Sequence, residues 1–458
     1  MKSTKKLTLR WFLSAAMLVF MGWISASPTR TQAQGTMGNN AVYNSGTNTI
    51  GSSAWIDASV FSTADVCAAL NAVFKSTANP YPAMGAVIDA RGVNPGTTQT
   101  CSISPWSGVT TPPPSTILLP PGTIVINNGL TLPNKTRLIG AGGGSLSTSG
   151  GATIIQAGSS FPSATMFLMG SSALCGTSCT GISLENLWLD GQGQSINGIL
   201  NQFGQELSYV KRVTFYQLLG TALSLTNTNA VNSGPYSDLA FSLGSHSASA
   251  SSTTACVQIK GISTRGLHGI TCTGNTGSSG TIPNAGVFLD ASNNSLEDIH
   301  VEGFGDGVRV GSNANAQGDV LFNISGGTNV TNVVNITNST GKSVSDLSLM
   351  AITNGAVSGS GGATNTIADS RTSTTLADAT VGMYVLGKVM TSGSGTVIGE
   401  SRFTSSPNAA TWGVGSVSPS GTCKVGSLFS NTTGTAHGSN TWWVCTPSGS
   451  STAWTDIN

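Results

Sequence analysis

One short pattern recurs through the middle of the chain and limits the fold more than any other feature. It reads apolar-x-[Asn/Asp/Gly]-apolar-x-apolar. Leu184-Glu-Asn186-Leu187-Trp-Leu189, Tyr236-Ser-Asp238-Leu239-Ala-Phe241, Leu296-Glu-Asp298-Ile299-His-Val301 and Val344-Ser-Asp346-Leu347-Ser-Leu349 carry it in full. Val210-Lys-Arg212-Val213-Thr-Phe215, Thr264-Arg-Gly266-Leu267 and Asp319-Val320-Leu-Phe322 are looser copies. With apolar anchors at 187, 213, 239, 267, 299, 320 and 347, the steps are 26, 26, 28, 32, 21 and 27 residues. That jitter is too large for a leucine-rich repeat, and the alternation is too strand-like for helical repeats.

A second apolar run follows each of the first six copies. These runs are Gly198-Ile199-Leu200, Ala222 to Leu225, Cys256 to Ile259, Gly286 to Leu289, Gly307 to Val310 and Val333 to Ile336. Apolar residues alternate with others at period two, which marks strands. Three short strands and three turns per repeat describe one coil of a parallel β-helix. The recurring Asn, Asp or Gly falls where a sharp bend needs left-handed backbone, which those residues tolerate best. Arg212 departs from that rule.

Composition agrees. Only 8% of residues are charged and the formal net charge is +1, against about 25% charged in an ordinary domain. Nothing concentrates positive field for phosphate capture, so nucleic-acid binding is not expected. Apolar content of 38% argues against disorder. A helix-rich fold is disfavoured because exposed helix faces normally carry Glu–Lys pairs. The 59 glycines, with Ser, Thr and Asn, suit turns and sheet surfaces.

The first residues read as an export signal. Lys2, Lys5, Lys6 and Arg10 precede an apolar stretch from Trp11 to Ile24, and Ala26 or Ala33 fits a cleavage site. That stretch is short for a membrane span, and no other segment is long enough. The mature chain is therefore expected outside the cell or on its surface, with no stable membrane insertion. Eight cysteines fit that compartment. They form four local couples, Cys67/Cys101, Cys175/Cys179, Cys256/Cys272 and Cys423/Cys445, one of 105 connectivities. Zinc is the competing reading of Cys175-Gly-Thr-Ser-Cys179.

Thr116-Ile-Leu-Leu-Pro-Pro-Gly-Thr-Ile-Val-Ile126 and Lys135-Thr-Arg-Leu-Ile-Gly-Ala-Gly142 follow the lead-in Val87-Ile-Asp-Ala-Arg-Gly92. Together with the coils, they resemble the pectate lyase-like superfamily. The resemblance covers roughly residues 60–357 and implies an all-β, right-handed parallel β-helix. An open first coil needs a cap. Ser62 to Lys75 supplies a helix with Val66, Leu70, Val73 and Phe74 on one face and Ser62 at its start. The expected layout is 1–33 signal peptide, 34–115 lead-in and capping helix, 116–357 β-helix, 358–366 linker and 367–458 β-rich module. That last module, with Trp442, Trp443 and Trp454, resembles small modules of secreted or phage-fibre proteins.

In that superfamily substrate lies over one strand column, to which the second apolar run corresponds. Its outward residues form two columns: Leu200, Ser224, Gln258, Phe288, Arg309, Asn335, and Gln202, Thr226, Lys260, Asp290, Gly311, Thr337. Lys260, Asp290 and Arg309 are the expected catalytic trio, with Gln258, Phe288, Glu302, Asp306 and Asp190 around the groove. β-Elimination from a uronate needs a base for the proton α to the carboxylate and a cation to neutralise the enolate. Arg309 or Lys260 would be the base, and Ca²⁺ held by carboxylates the neutralising ion. The chain lacks the adjacent Asp-Asp and Gly-His-Gly of the superfamily's polygalacturonases and the clustered Asp of its lyases. Two readings therefore stand: a secreted enzyme on polysaccharide, a lyase before a glycoside hydrolase, or a non-catalytic surface or fibre β-helix that binds glycans or acts as a spacer.

Overall fold

The computed structural model describes residues 55–76, 85–143, 151–226, 232–337 apart from 262 and 313, 344–353 apart from 346, and short stretches towards both ends. The expected export signal lies outside them. The chain is a parallel β-helix. Its two large sheets, of 16 and nine strands, are parallel throughout and stack neighbouring coils in order along the chain.

Each coil has three walls. A single bent strand supplies the first two. Ser183–Gln194, Tyr209–Leu218, Tyr236–Ser242, Leu267–Thr273, Ser295–Glu302 and Val320–Gly326 are such strands. They turn at Asn186, Arg212, Asp238, Gly269, Asp298 and Asn323, all with φ between 53° and 64°. The third wall is the nine-stranded sheet, including Asn197–Asn201, Thr221–Thr226, Ala255–Lys260, Ala285–Asp290, Asp306–Val310 and Asn332–Ile336.

Packing follows from register. On the third wall Ile199, Leu223, Val257, Val287, Val308 and Val334 lie directly above one another. All are at most 1% exposed. On the second wall Ile270, Ile299 and Ile324 do the same. Each such side chain contributes roughly 1.5–3 kcal/mol by leaving water, so stacked aliphatic residues fix the register.

The repeat reading needs three corrections. The bend after Asp238 is at Gly269, not Gly266; Leu267 faces the first wall opposite Tyr236. Gly266 is also left-handed, at φ 108°, but at the preceding corner. Beyond Asp298, the bends are at Asn323, rather than Asp319, and at Ala351. Arg212 does occupy a bend, at φ 53°. A left-handed residue with a Cβ costs about 1–2 kcal/mol. Arg212 is exposed, so Arg212→Gly should raise stability by up to about 1 kcal/mol after glycine's own entropy cost. A thermal unfolding midpoint that falls would count against this account of the bend.

The capping helix, α1, spans Val66–Lys75, shorter than expected. Asp65 caps it, not Ser62. Its extended backbone (φ −158°) lets Oδ1 accept from Ala68 N–H at 2.8 Å. Oδ2 accepts from Ser102 Oγ at 2.6 Å, tying the cap to the first coil. The neighbouring disulfide Cys67–Cys101 reinforces that tie. Val66 and Leu70 meet Leu119, Ile124 and Phe167 around a residual gap of about 20 Å³, so the helix plugs the coil end. No helix among the described residues is long and apolar enough to cross a membrane.

Cys175–Cys179 and Cys256–Cys272 are also bonded. Cys445 is disulfide-bonded, while Cys423 lies outside the described residues. Parallel pairing runs on past residue 357, into the stretch read as a linker. Ala356–Gly359 joins the third wall; Asn365–Ala368 and Met383–Leu386 extend the first. Ser401–Arg402, Thr411–Gly415, Leu428–Asn431, Trp442–Ser448 and Ser451–Asp456 form a separate five-stranded sheet, antiparallel except for one pair.

Candidate functional site

The outer face of the third wall carries a groove of about 470 Å³. Gln258, Phe288 and Arg309 form its floor. They are register partners on successive coils, preceded by Ser224 and followed by Asn335. Alternation placed them: their strand neighbours Val257, Ile259, Val287, Leu289, Val308 and Val310 are buried in the core. Asn197, Thr221, Ser252, Thr253, Asn284 and Ser312 line the rest. The segments 243–254 and 274–284 supply Ser252, Thr253 and Asn284. They pack together, with Asn284 N–H donating to the Ser252 carbonyl at 3.1 Å.

Arg309 is the best-anchored group in the groove. Its Nε donates to Asp306 Oδ2 at 2.6 Å, and Nη2 lies 2.5 Å from the same oxygen. Nη2 also donates to the Asn284 carbonyl at 3.2 Å. The guanidinium carbon is 5.9 Å from the centre of the Phe288 ring. Asp306 itself is buried, and accepts from Asn332 Nδ2 at 2.8 Å and Asn335 Nδ2 at 2.9 Å as well. Such charge-assisted bonds hold the guanidinium plane in one orientation. Among the described residues no hydrogen bond from Nη1 is found.

The other expected residues are dispersed. Asp290 is paired in register with Lys260. It does not project as alternation implied: it is fully buried and accepts from Ser312 Oγ at 3.1 and 3.3 Å. It ends its strand, where the chain turns and Ser312 folds over it. Lys260 is exposed two residues along from Gln258. Glu302 belongs to the second wall, accepting from Thr273 Oγ1 at 3.0 Å. Asp190 also lies there, in register with Tyr216. Its Oδ1 accepts from Gln192 N–H at 2.9 Å, and burial raises its carboxyl above the usual range. Glu302 and Asp190 therefore face away from the groove.

The carboxylates do not fit a shared Ca²⁺ site. Glu302 is on another wall, and both Asp306 oxygens are taken by Arg and Asn donors. The one group of three metal-type ligands among the described residues is Asp65, Cys67 and Cys101, whose sulfurs are bonded to each other. Sequence reading missed Asn332 and Asn284. Asn332 had a visible signal, as the register partner of Asp306 at the head of the next strand. Asn284 reaches Arg309 through its backbone carbonyl, which no side-chain pattern reveals.

Fold and groove define a parallel β-helix with a polar, uncharged rim around one fixed cation and one aromatic ring. No protein-family model matches the chain, and no curated protein matches it. Among solved structures it is similar to the A-module of mannuronan C-5 epimerase AlgE4 from Azotobacter vinelandii. Identity there is 15%, over 61% of this chain and 91% of that one, with a TM-score of 0.26. The AlgE6 A-module from the same organism gives 14%, 60%, 86% and 0.26. ORF18 of Geobacillus virus E2 gives 11%, 76%, 66% and 0.35. These are loose superpositions, and no activity passes to this chain through them.

Proposed function

We propose that the chain is an exported glycan-binding β-helix whose third-wall groove holds a polysaccharide bearing acidic groups. One observation carries this reading: Arg309, locked by Asp306, stands beside the Phe288 ring on the groove floor. An aromatic face suits the apolar side of a sugar ring. A fixed guanidinium suits a carboxylate. The Ser, Thr and Asn rim supplies donors and acceptors for hydroxyls. Adhesion and a spacer role are both compatible with such a wall.

β-Elimination is the second reading, favoured by exposed Lys260 two residues from the floor column. Against it, Arg309 is engaged through Nε and Nη2, and Asp290 is covered. Titration with polygalacturonate and alginate oligosaccharides, against neutral oligosaccharides, tests the binding reading. Acidic chains should bind preferentially, and added salt should weaken them. Arg309→Ala should weaken binding about ten- to a hundredfold, as expected for bonds to a charged group. Equal binding of neutral and acidic chains, untouched by that substitution, would sink the proposal. Following unsaturated product by absorbance, with and without Ca²⁺, decides the elimination reading in the same samples.

A further inference from the structure

The corner before the first wall carries an inward polar ladder. Ser208, Ser233, Thr264, Asn294 and Asp319 occupy it on successive coils, all buried. Ser233 bridges Thr264 in parallel. Thr264 N–H donates to Asn294 Oδ1 at 2.9 Å. Asn294 donates to Asp319 Oδ1 twice, from its backbone at 2.8 Å and from Nδ2 at 3.2 Å. The Asp319 carbonyl accepts from Ser348 N–H at 2.9 Å, joining the next coil, where Leu347 is the apolar neighbour. Four rungs are neutral by nature; the fifth is an acid.

Asp319 is 1% exposed, and its Oδ2 is buried with no hydrogen-bond partner in the structure. Among the described residues no cation answers it. Its own coil from 316 to 326 holds no other ionisable side chain, nor does Ser348–Met350 above. Below, Glu297, Asp298, His300 and Glu302 all stand partly or fully exposed on the outer surface. A bare carboxylate oxygen in such a place costs more than the Asn294 bonds return.

We propose that Asp319 is a proton-operated latch between the coils that begin at Asn294 and Ser348. Protonated, it is one more neutral rung. Ionised, it places an unpaired charge inside the solenoid and loosens both contacts. Burial, set against the two Asn294 bonds, pushes this acid up to about 7. The native state therefore keeps a proton that the unfolded chain releases near pH 4. Between those values the native state binds more protons, so raising the pH favours unfolding. The stabilising contribution is complete below about pH 4 and is lost as pH rises through about 7.

Thermal midpoints of wild type and Asp319→Asn, measured from pH 4 to 8, test this. The gap between them should move in favour of the variant as pH rises. The unfolding constant of wild type relative to the variant should grow about tenfold per pH unit between roughly pH 4 and 7. Parallel curves would overturn the proposal. If Asp319→Asn does not fold, hydrogen exchange on the wild type decides. Amides of 294–296 and 348–350 should lose protection above pH 7 relative to those of 222–225 on the third wall, once ordinary base catalysis is divided out. Equal loss everywhere would overturn it equally.

Discussion

Asp306→Ala should unfold the groove coil more readily by about 3 kcal/mol and abolish glycan binding together. Removing one partner of a buried ion pair commonly costs 3–5 kcal/mol, because the other charge stays behind. The Arg309 side chain is 22% exposed, so water relieves part of that cost, and the lower end applies. Asn332 and Asn335 also lose their acceptor. Denaturant unfolding gives the first quantity and oligosaccharide titration the second. Retained affinity would mean that Arg309 needs no anchor, and the groove account would fail. Asp306→Asn keeps an acceptor without the charge and should fall between wild type and Ala in both measurements.

Replacing Cys256 and Cys272 by Ala should cost about 3–5 kcal/mol. The disulfide joins the inner faces of the second and third walls across one coil and closes a loop of sequence separation 16. Constraining a loop of that size in the unfolded chain is worth about 3 kcal/mol. Both cysteines are buried, at 2% and 0% exposed, so small cavities add to the loss. The thermal midpoint of the double variant measures it. A shift of less than a degree or two would show that the coil is held by stacking alone. The prediction is local, because a solenoid couples mainly to its nearest coils.

The coils were legible wherever bend and strand obeyed one spacing. Asn186, Asp238 and Asp298 are at bends because side-chain chemistry and apolar spacing agree there. Around Leu267 they disagree. Gly266 and Gly269 are both left-handed, so only pairing with the neighbouring coils tells one corner from the other. The segments 243–254 and 274–284 also lengthen two coils and blur the period. Alternation found the floor column of Gln258, Phe288 and Arg309, since inward apolar partners leave the intervening residues outside. It failed for Asp290, which ends its strand, where a residue's direction is set by the turn and by hydrogen-bond partners rather than by the pleat. Glu302 was misplaced for a related reason: three residues of turn, 303–305, separate two walls that face different ways.

Stacked coils that meet mainly their neighbours make this chain a stepwise elastic element. A pull along the solenoid axis would detach one coil at a time rather than rupture the whole core. From Asn186 to Arg212 a coil holds 26 residues, so each step would release about 90 Å of extended chain. The end that carries α1 is riveted by Cys67–Cys101 and should yield last. Cys256–Cys272 would interrupt the series midway as a short stop. A wall that grips a polysaccharide could in this way absorb mechanical load before letting go.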